Sequence, residues 1–84
     1  MIRIGLSGCL GTMGQIISEL IEQQDGVELV FGIDKRAGEI DVLYPVFSLP
    51  KEVNLSCDVI IDFSNAAAAD ELLDYCVEKQ VPVV

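Results

Sequence analysis

Three glycines, Gly8, Gly11 and Gly14, stand three residues apart between an apolar run, Ile2-Arg3-Ile4-Gly5-Leu6, and a stretch with helical spacing. These residue types in this order suit the binding of a diphosphate. Without a Cβ, a glycine lets the chain turn sharply and lets main-chain N–H groups approach a phosphate closely. A helix starting there adds unpaired first-turn N–H donors and the positive end of its dipole. Gly14, one turn in, lets that helix pack closely on the strand before it. Asp34 closes the next apolar run, roughly the 20 residues past the glycines at which a carboxylate meets a dinucleotide's ribose. Lys35-Arg36 follows at once, suited to the 2′-phosphate of NADP as Asp34 is to the free 2′-hydroxyl of NAD. Having both predicts relaxed choice between NADH and NADPH.

Each feature has a plainer reading. The glycines can serve the turn and the packing alone, Asp34 can be a solvated strand end, and Lys35-Arg36 can be loop solvation. The conjunction of strand, glycine turn, amphipathic helix and second strand favours the dinucleotide site.

The elements that must hold these residues are short. Ile2–Leu6 reads as a first strand. Met13, Ile16, Ile17, Leu20 and Ile21 form the apolar stripe of a helix, ended by Asp25-Gly26 with Gly26 in the left-handed position. Val27–Ile33 is a β-branched second strand ending at Asp34. Tyr44-Pro45-Val46-Phe47 is a short third strand at an edge, where proline is tolerated; no chemistry is assigned between Ala37 and Asn54. Cys57–Asp62 is a fourth strand. Its C-terminal end should open beside the glycine turn, with Phe63 and Ser64 either bordering a cofactor's nicotinamide half or serving structure alone. Asn65 reads as the N-cap of a helix from about Ala66 to Lys79, with Ala69, Leu72, Leu73, Cys76 and Val77 as its buried stripe. Val81-Pro82-Val83-Val84 begins a fifth strand. The fold class is therefore α/β, a Rossmann-like doubly wound parallel sheet truncated after its fifth strand.

Composition bounds the rest. The chain has 84 residues, a net charge of −9 and 14 acidic residues against 5 basic ones. Broad nucleic-acid binding is disfavoured, and any phosphate must be held by main-chain donors and locally placed cations. No apolar run approaches the roughly 20 residues that span a membrane. The three cysteines, Cys9, Cys57 and Cys76, have no CxxC spacing, and there is no histidine. That predicts a reduced, cytoplasmic protein without a metal site. Residues 1–84 are expected to be a dinucleotide-binding domain incomplete at its C-terminus, the N-terminal part of a longer protein. Its last strand would then be an apolar edge open to self-association.

The motifs resemble one family. Gly8-Cys9-Leu10-Gly11-Thr12-Met13-Gly14, preceded by Ser7, is similar to the Gly-x-x-Gly-x-Met-Gly opening of dihydrodipicolinate reductase, an enzyme of bacterial diaminopimelate and lysine biosynthesis. Asp58-Val59-Ile60-Ile61-Asp62-Phe63-Ser64 resembles that family's Asp-Val-x-Ile-Asp-Phe-Thr/Ser segment. Tyr75-Cys76-Val77 with Val81-Pro82-Val83-Val84 resembles its next helix and strand. The resemblance implies hydride transfer from NADPH or NADH to a cyclic, imine-type dipicolinate precursor, in a homotetramer assembled through a C-terminal domain. It implies that Gly8, Gly11, Thr12, Met13 and Gly14 touch the pyrophosphate. Asp34 then meets the adenosine ribose beside Lys35 or Arg36, and Phe63 and Ser64 lie towards the nicotinamide. Thr12 departs from the arginine many members carry and supplies no charge. The family's Gly-Thr-Thr-Gly loop would follow Val84. Its catalytic histidine and lysine match no residue here, so no catalytic residue is assigned and this piece should not turn over substrate. Other two-domain NAD(P)-dependent dehydrogenases, of the aspartate or homoserine type, and a non-catalytic nucleotide-sensing module share the glycine motif.

Overall fold

The structure is a computed structural model that describes residues 1–65 and 69–84. A parallel sheet carries four strands in the order β3-β2-β1-β4: β1 is Ile2–Ser7, β2 is Val27–Ile33, β3 is Val46–Phe47 and β4 is Val59–Asp62. Among the described residues two helices, α1 at Thr12–Glu22 and α2 at Ala69–Lys79, and a 3₁₀ turn at Pro50–Glu52 accompany the sheet. This is the expected α/β doubly wound arrangement.

β1 lies between β2 and β4, and all its pairings are parallel. A central parallel strand is covered on both faces, which is why β1 and β2 read as near-continuous apolar runs. Ile4 to Ser7 and Val30 to Ile33 are buried. The register between β1 and β2 shifts at Ile4/Gly5, so that Ile4 faces Leu29 and Gly5 faces Phe31. Gly5 is required by what crosses it: a Cβ there would sit 2.6 Å from the Phe31 ring and 2.7 Å from Ile60.

The core lies on both faces of the sheet. On one, Phe31, Ile33 and Ile60 pack with Leu72, Tyr75 and Cys76 of α2. On the other, Leu6, Cys9 and Leu10 pack with Ile17 of α1, Leu29 and Tyr44. Tyr44 brings its hydroxyl into this second cluster, where the oxygen is buried and has no hydrogen-bond partner among the described residues.

Each helix buries part of the stripe that the apolar spacing predicts, Ile21 with half-buried Ile17 in α1 and Leu72 with Cys76 in α2, and turns the larger remainder outward. In α1 the buried positions are Gly14, Ser18 and Ile21, while Met13, Ile16 and Leu20 are about half exposed. The reason is steric, because the helix approaches the β1 turn so closely that only its smallest residues fit against it. A Cβ on Gly14 would lie 2.8 Å from the Cys9 carbonyl carbon and closer still to the Gly8 oxygen. In α2 the buried residues are Leu72, Tyr75 and Cys76, and Leu73 and Val77 are exposed. The expected start of α2 at residues 66–68, and so the helix end that Asn65 would cap, lies outside the described residues.

Other boundaries shift modestly. β3 is shorter than predicted and pairs Val46 with Gly32 at the sheet edge, while Pro45 contributes only its carbonyl, to Gly32 N–H at 2.9 Å. β4 begins at Val59, not Cys57. The fifth strand is reduced to an isolated parallel bridge from Val83 to Ile60, with Pro82 and Val84 bonded to the β4 main chain. α1 ends at Glu22, before Asp25-Gly26, and Gly26 takes φ +84° in the turn into β2. Among the described residues no helix is long and apolar enough to cross a membrane.

Candidate functional site

The C-terminal ends of β1, β2 and β4 meet at a crevice of about 380 Å³, a size suited to a small-molecule ligand. Open parallel sheets bind ligands here, where connections from neighbouring strands leave in opposite directions. Gly8 makes the turn out of β1 at φ +76°. Its N–H donates to Ile33 O at 2.7 Å, tying the turn to the end of β2. The end of β4 lies directly against it, since a Cβ on Gly8 would be 2.7 Å from the Phe63 carbonyl carbon and the Ser64 nitrogen. Phe63 N–H donates to Ser7 O at 2.9 Å and locks the same junction. The two chain segments are thus side by side because Gly8 carries no side chain.

The turn then feeds α1 without a cap. Gly11 occupies the N-cap position, no side chain bonds the first turn, and no acidic residue stands in it. Gly11 N–H is used by Gly8 O and Leu10 N–H by Asp34, but Thr12, Met13 and Gly14 N–H have no acceptor among the described residues. Unpaired N–H groups at a helix start, with the dipole behind them, form an anion site. Among the described residues a Cβ on Gly11 would meet only Arg36 and Gly8 O, both at 3.5 Å, so this side of the turn is open.

The opposite wall is Asp34-Lys35-Arg36. The Asp34 side chain is only 8% exposed. One oxygen accepts Arg36 N–H at 3.0 Å and Nε–H at 3.2 Å; the other accepts Leu10 N–H at 3.0 Å and Arg36 Nη2–H at 3.3 Å. Burial disfavours ionisation of Asp34, but the bonds from Arg36 and Leu10 outweigh it and hold the carboxyl below its ordinary range. At the end of β4, Ser64 N–H donates to Asp62 Oδ1 at 2.8 Å and the Ser64 hydroxyl donates to the same oxygen.

Of the residues singled out from sequence, Gly8, Gly11, Asp34, Lys35, Arg36, Phe63 and Ser64 all line the crevice. Thr12 and Met13 are exposed in the first turn of α1 and do not line it; what they offer is main-chain N–H. Gly14 is buried beneath the turn, against the Gly8 and Cys9 main chain. Sequence reasoning missed Ser48, Leu49 and Pro50, which line the crevice from a segment given no chemistry. A signal was present: Pro50 followed by Glu52 is the pattern of a helix start. Glu52 Oε1 accepts Leu49 N–H at 3.0 Å and the Ser48 hydroxyl at 2.5 Å, which fixes this loop. The Ser48 hydroxyl also holds the Glu52 carboxyl below its usual range.

Cys9, beneath the turn, is fully buried, and burial pushes its thiol up to about 11. It is a packing residue without thiolate character at neutral pH. Among the described residues no three His, Cys, Asp or Glu side chains cluster as metal ligands would.

Comparison with known proteins gives a consistent result. The family profile described as "Dihydrodipicolinate reductase, N-terminus" matches residues 2–84. The 4-hydroxy-tetrahydrodipicolinate reductase of Clostridium novyi (strain NT) is 40% identical over 84 residues, covering 100% of this chain and 33% of that protein. The enzyme of the same name from Clostridium tetani (strain Massachusetts / E88) is 38% identical over 84 residues, covering 100% of this chain and 32% of that protein. The chain thus spans about a third of the length of these relatives. Among solved structures, the dipicolinate-bound dihydrodipicolinate reductase from Paenisporosarcina sp. TG-14 superimposes with a TM-score of 0.81 at 24% identity, over 99% of this chain and 37% of that one. That likeness is one of fold.

Proposed function

The chain belongs to the dihydrodipicolinate reductase family, in the part its N-terminal profile describes, and from that membership we propose that it binds the nicotinamide dinucleotide for a 4-hydroxy-tetrahydrodipicolinate reductase. The observation that carries this reading is the uncapped start of α1. Among the described residues Thr12, Met13 and Gly14 N–H lack acceptors beside an open glycine turn, and two cations stand on the facing wall.

The residues present fit such a group. In this reading the first-turn N–H donors of α1 hold the pyrophosphate, which a surface of net charge −9 would otherwise repel. Asp34, Lys35 and Arg36 flank the adenosine ribose, and Phe63 and Ser64 border the nicotinamide end. Ser64, bonded to Asp62, keeps the end of β4 fixed against Gly8, so the crevice is formed before ligand arrives. A reduced nicotinamide dinucleotide, when bound, supplies the hydride for the reduction. The chain's own part is to bind and orient; substrate and proton-transfer groups belong to the remaining length that the relatives possess. A reduced, cytoplasmic setting, which the free cysteines Cys9, Cys57 and Cys76 suit, is part of the same proposal.

Gly11→Val tests the reading. Gly11 has φ −73° and ψ 171°, which any residue adopts, and open space on its Cβ side. The variant should keep its circular dichroism spectrum and lose calorimetric binding of both NADH and NADPH. Wild-type affinity in a folded variant would remove the pyrophosphate from this turn.

A further inference from the structure

The end of the sheet opposite the crevice also holds a hollow. α2 runs back along β4, so its last turn stands near the start of that strand. There a cavity of about 320 Å³ opens between α2 and residues 53–57, lined by Val53, Ser56, Cys57, Tyr75, Lys79 and Val81 among others. Tyr75 and Lys79 are one turn apart and share a face of α2. Gln80 then takes φ +58° and Val81 N–H donates to Cys76 O at 2.9 Å, which turns Val81 back against the cluster that holds Tyr75. Tyr75 is 7% exposed, yet its hydroxyl has no hydrogen-bond partner among the described residues. Buried tyrosine hydroxyls normally have one. Lys79 likewise pairs with no carboxylate among the described residues. The acid of the facing loop is engaged elsewhere: Asp58 Oδ2 accepts Arg3 N–H at 2.8 Å, and Arg3 Nη1–H donates to Ser56 Oγ at 2.8 Å, which fixes that wall. Burial pushes the Tyr75 hydroxyl and the Cys57 thiol up from their ordinary values, so neither puts negative charge into the cavity at neutral pH.

We propose that this cavity is a further ligand site, for a small monocarboxylate with an apolar body. The Tyr75 hydroxyl and the Lys79 ammonium take the carboxylate, and Val53, Cys57 and Val81 take the body. Two donors on one helix face, one of them charged, suit a group that only accepts hydrogen bonds. A single negative charge is the limit. The last turn of α2 is the negative end of its dipole, and the chain carries a net charge of −9, so a phosphate would meet more repulsion than one lysine offsets. The site is independent of the dinucleotide reading, since neither Tyr75 nor Lys79 lines the crevice.

The test is a series of ¹H–¹⁵N spectra of the 84-residue chain titrated with phenylacetate, and with phenylacetamide as its uncharged counterpart. Phenylacetate should shift the amides of Cys57, Lys79 and Val81 saturably, and phenylacetamide should bind about 10-fold more weakly. A buried hydroxyl bonded to a charged group is worth more than an exposed ion pair. Tyr75→Phe should therefore weaken phenylacetate by about 10-fold and Lys79→Gln by about 3-fold. Tyr75→Phe keeps the ring that fills the core, and circular dichroism checks its fold. Both variants should bind NADPH as the wild type does. No saturable shift in the folded chain, shifts confined to the amides of the crevice, or an affinity that Tyr75→Phe leaves unchanged overturns the proposal. Should Tyr75→Phe unfold, equal binding of phenylacetate and phenylacetamide, or no effect of Lys79→Gln, overturns it instead.

Discussion

Gly14→Ala probes the contact that sets α1 on β1, and its cost follows from distances. The added methyl would lie 2.8 Å from both the Cys9 carbonyl carbon and Cα, and nearer to Gly8 O. Carbon atoms pack comfortably at about 3.5 Å or more, so the overlap exceeds half an ångström. All three obstructing atoms are main chain, which cannot swing aside as a side chain would. Overpacking of this kind costs about 3 kcal/mol, and the better helix propensity of alanine returns about 1 kcal/mol. A net loss of about 2 kcal/mol is large against the roughly 4–12 kcal/mol expected for a domain this size. With a urea dependence of about 1 kcal/mol per molar, the unfolding midpoint should fall by about 2 M. Far-UV circular dichroism in a urea series reads this directly. Gly11→Ala is the control, because its methyl meets nothing nearer than 3.5 Å; its midpoint should move by no more than about 0.5 M. A Gly14→Ala midpoint equal to or above wild type would refute the close-packing argument.

Two further outcomes are expected. Tyr44→Phe deletes a buried hydroxyl without a partner, so its midpoint in the same assay should be unchanged or higher by up to about 1 M; a fall of that size would mean the hydroxyl is satisfied. The pH dependence follows from Asp34 and Glu52, whose folded values lie below their ordinary 3.8 and 4.5. A depressed acid contributes stability that is present above its unfolded value and lost as pH falls through the folded one. Unfolding titrations should therefore show stability dropping below about pH 4, with a shallower drop in Asp34→Asn; identical slopes would contradict the Asp34 bonding described here.

Much of the fold was legible because it depends on composition along short runs. β2 was placed at its observed residues, and the junction of the glycine turn with Phe63-Ser64 followed from strand order alone. The helix faces were legible only in part: Ile21, Leu72 and Cys76 are buried as the spacing predicts, but that spacing assumes that large side chains point inward. α1 departs from it by pressing Gly14 and Ser18 against the sheet, and Tyr75 replaces Leu73 inside α2. The Ser48–Pro50 wall was missed because its place in the crevice comes from a tertiary return beside β2. Nothing local to Asp34 showed that Arg36 would consume its acceptors; only side-chain geometry could.

The central claim, that main-chain amides at one bend take the diphosphate, is tested most directly by ¹H–¹⁵N correlation spectra of the chain titrated with NADPH. The largest shifts should fall on the amides of Thr12, Met13 and Gly14, with smaller ones at Gly8 and Gly11. Shifts that leave these amides unmoved and gather elsewhere would contradict the account.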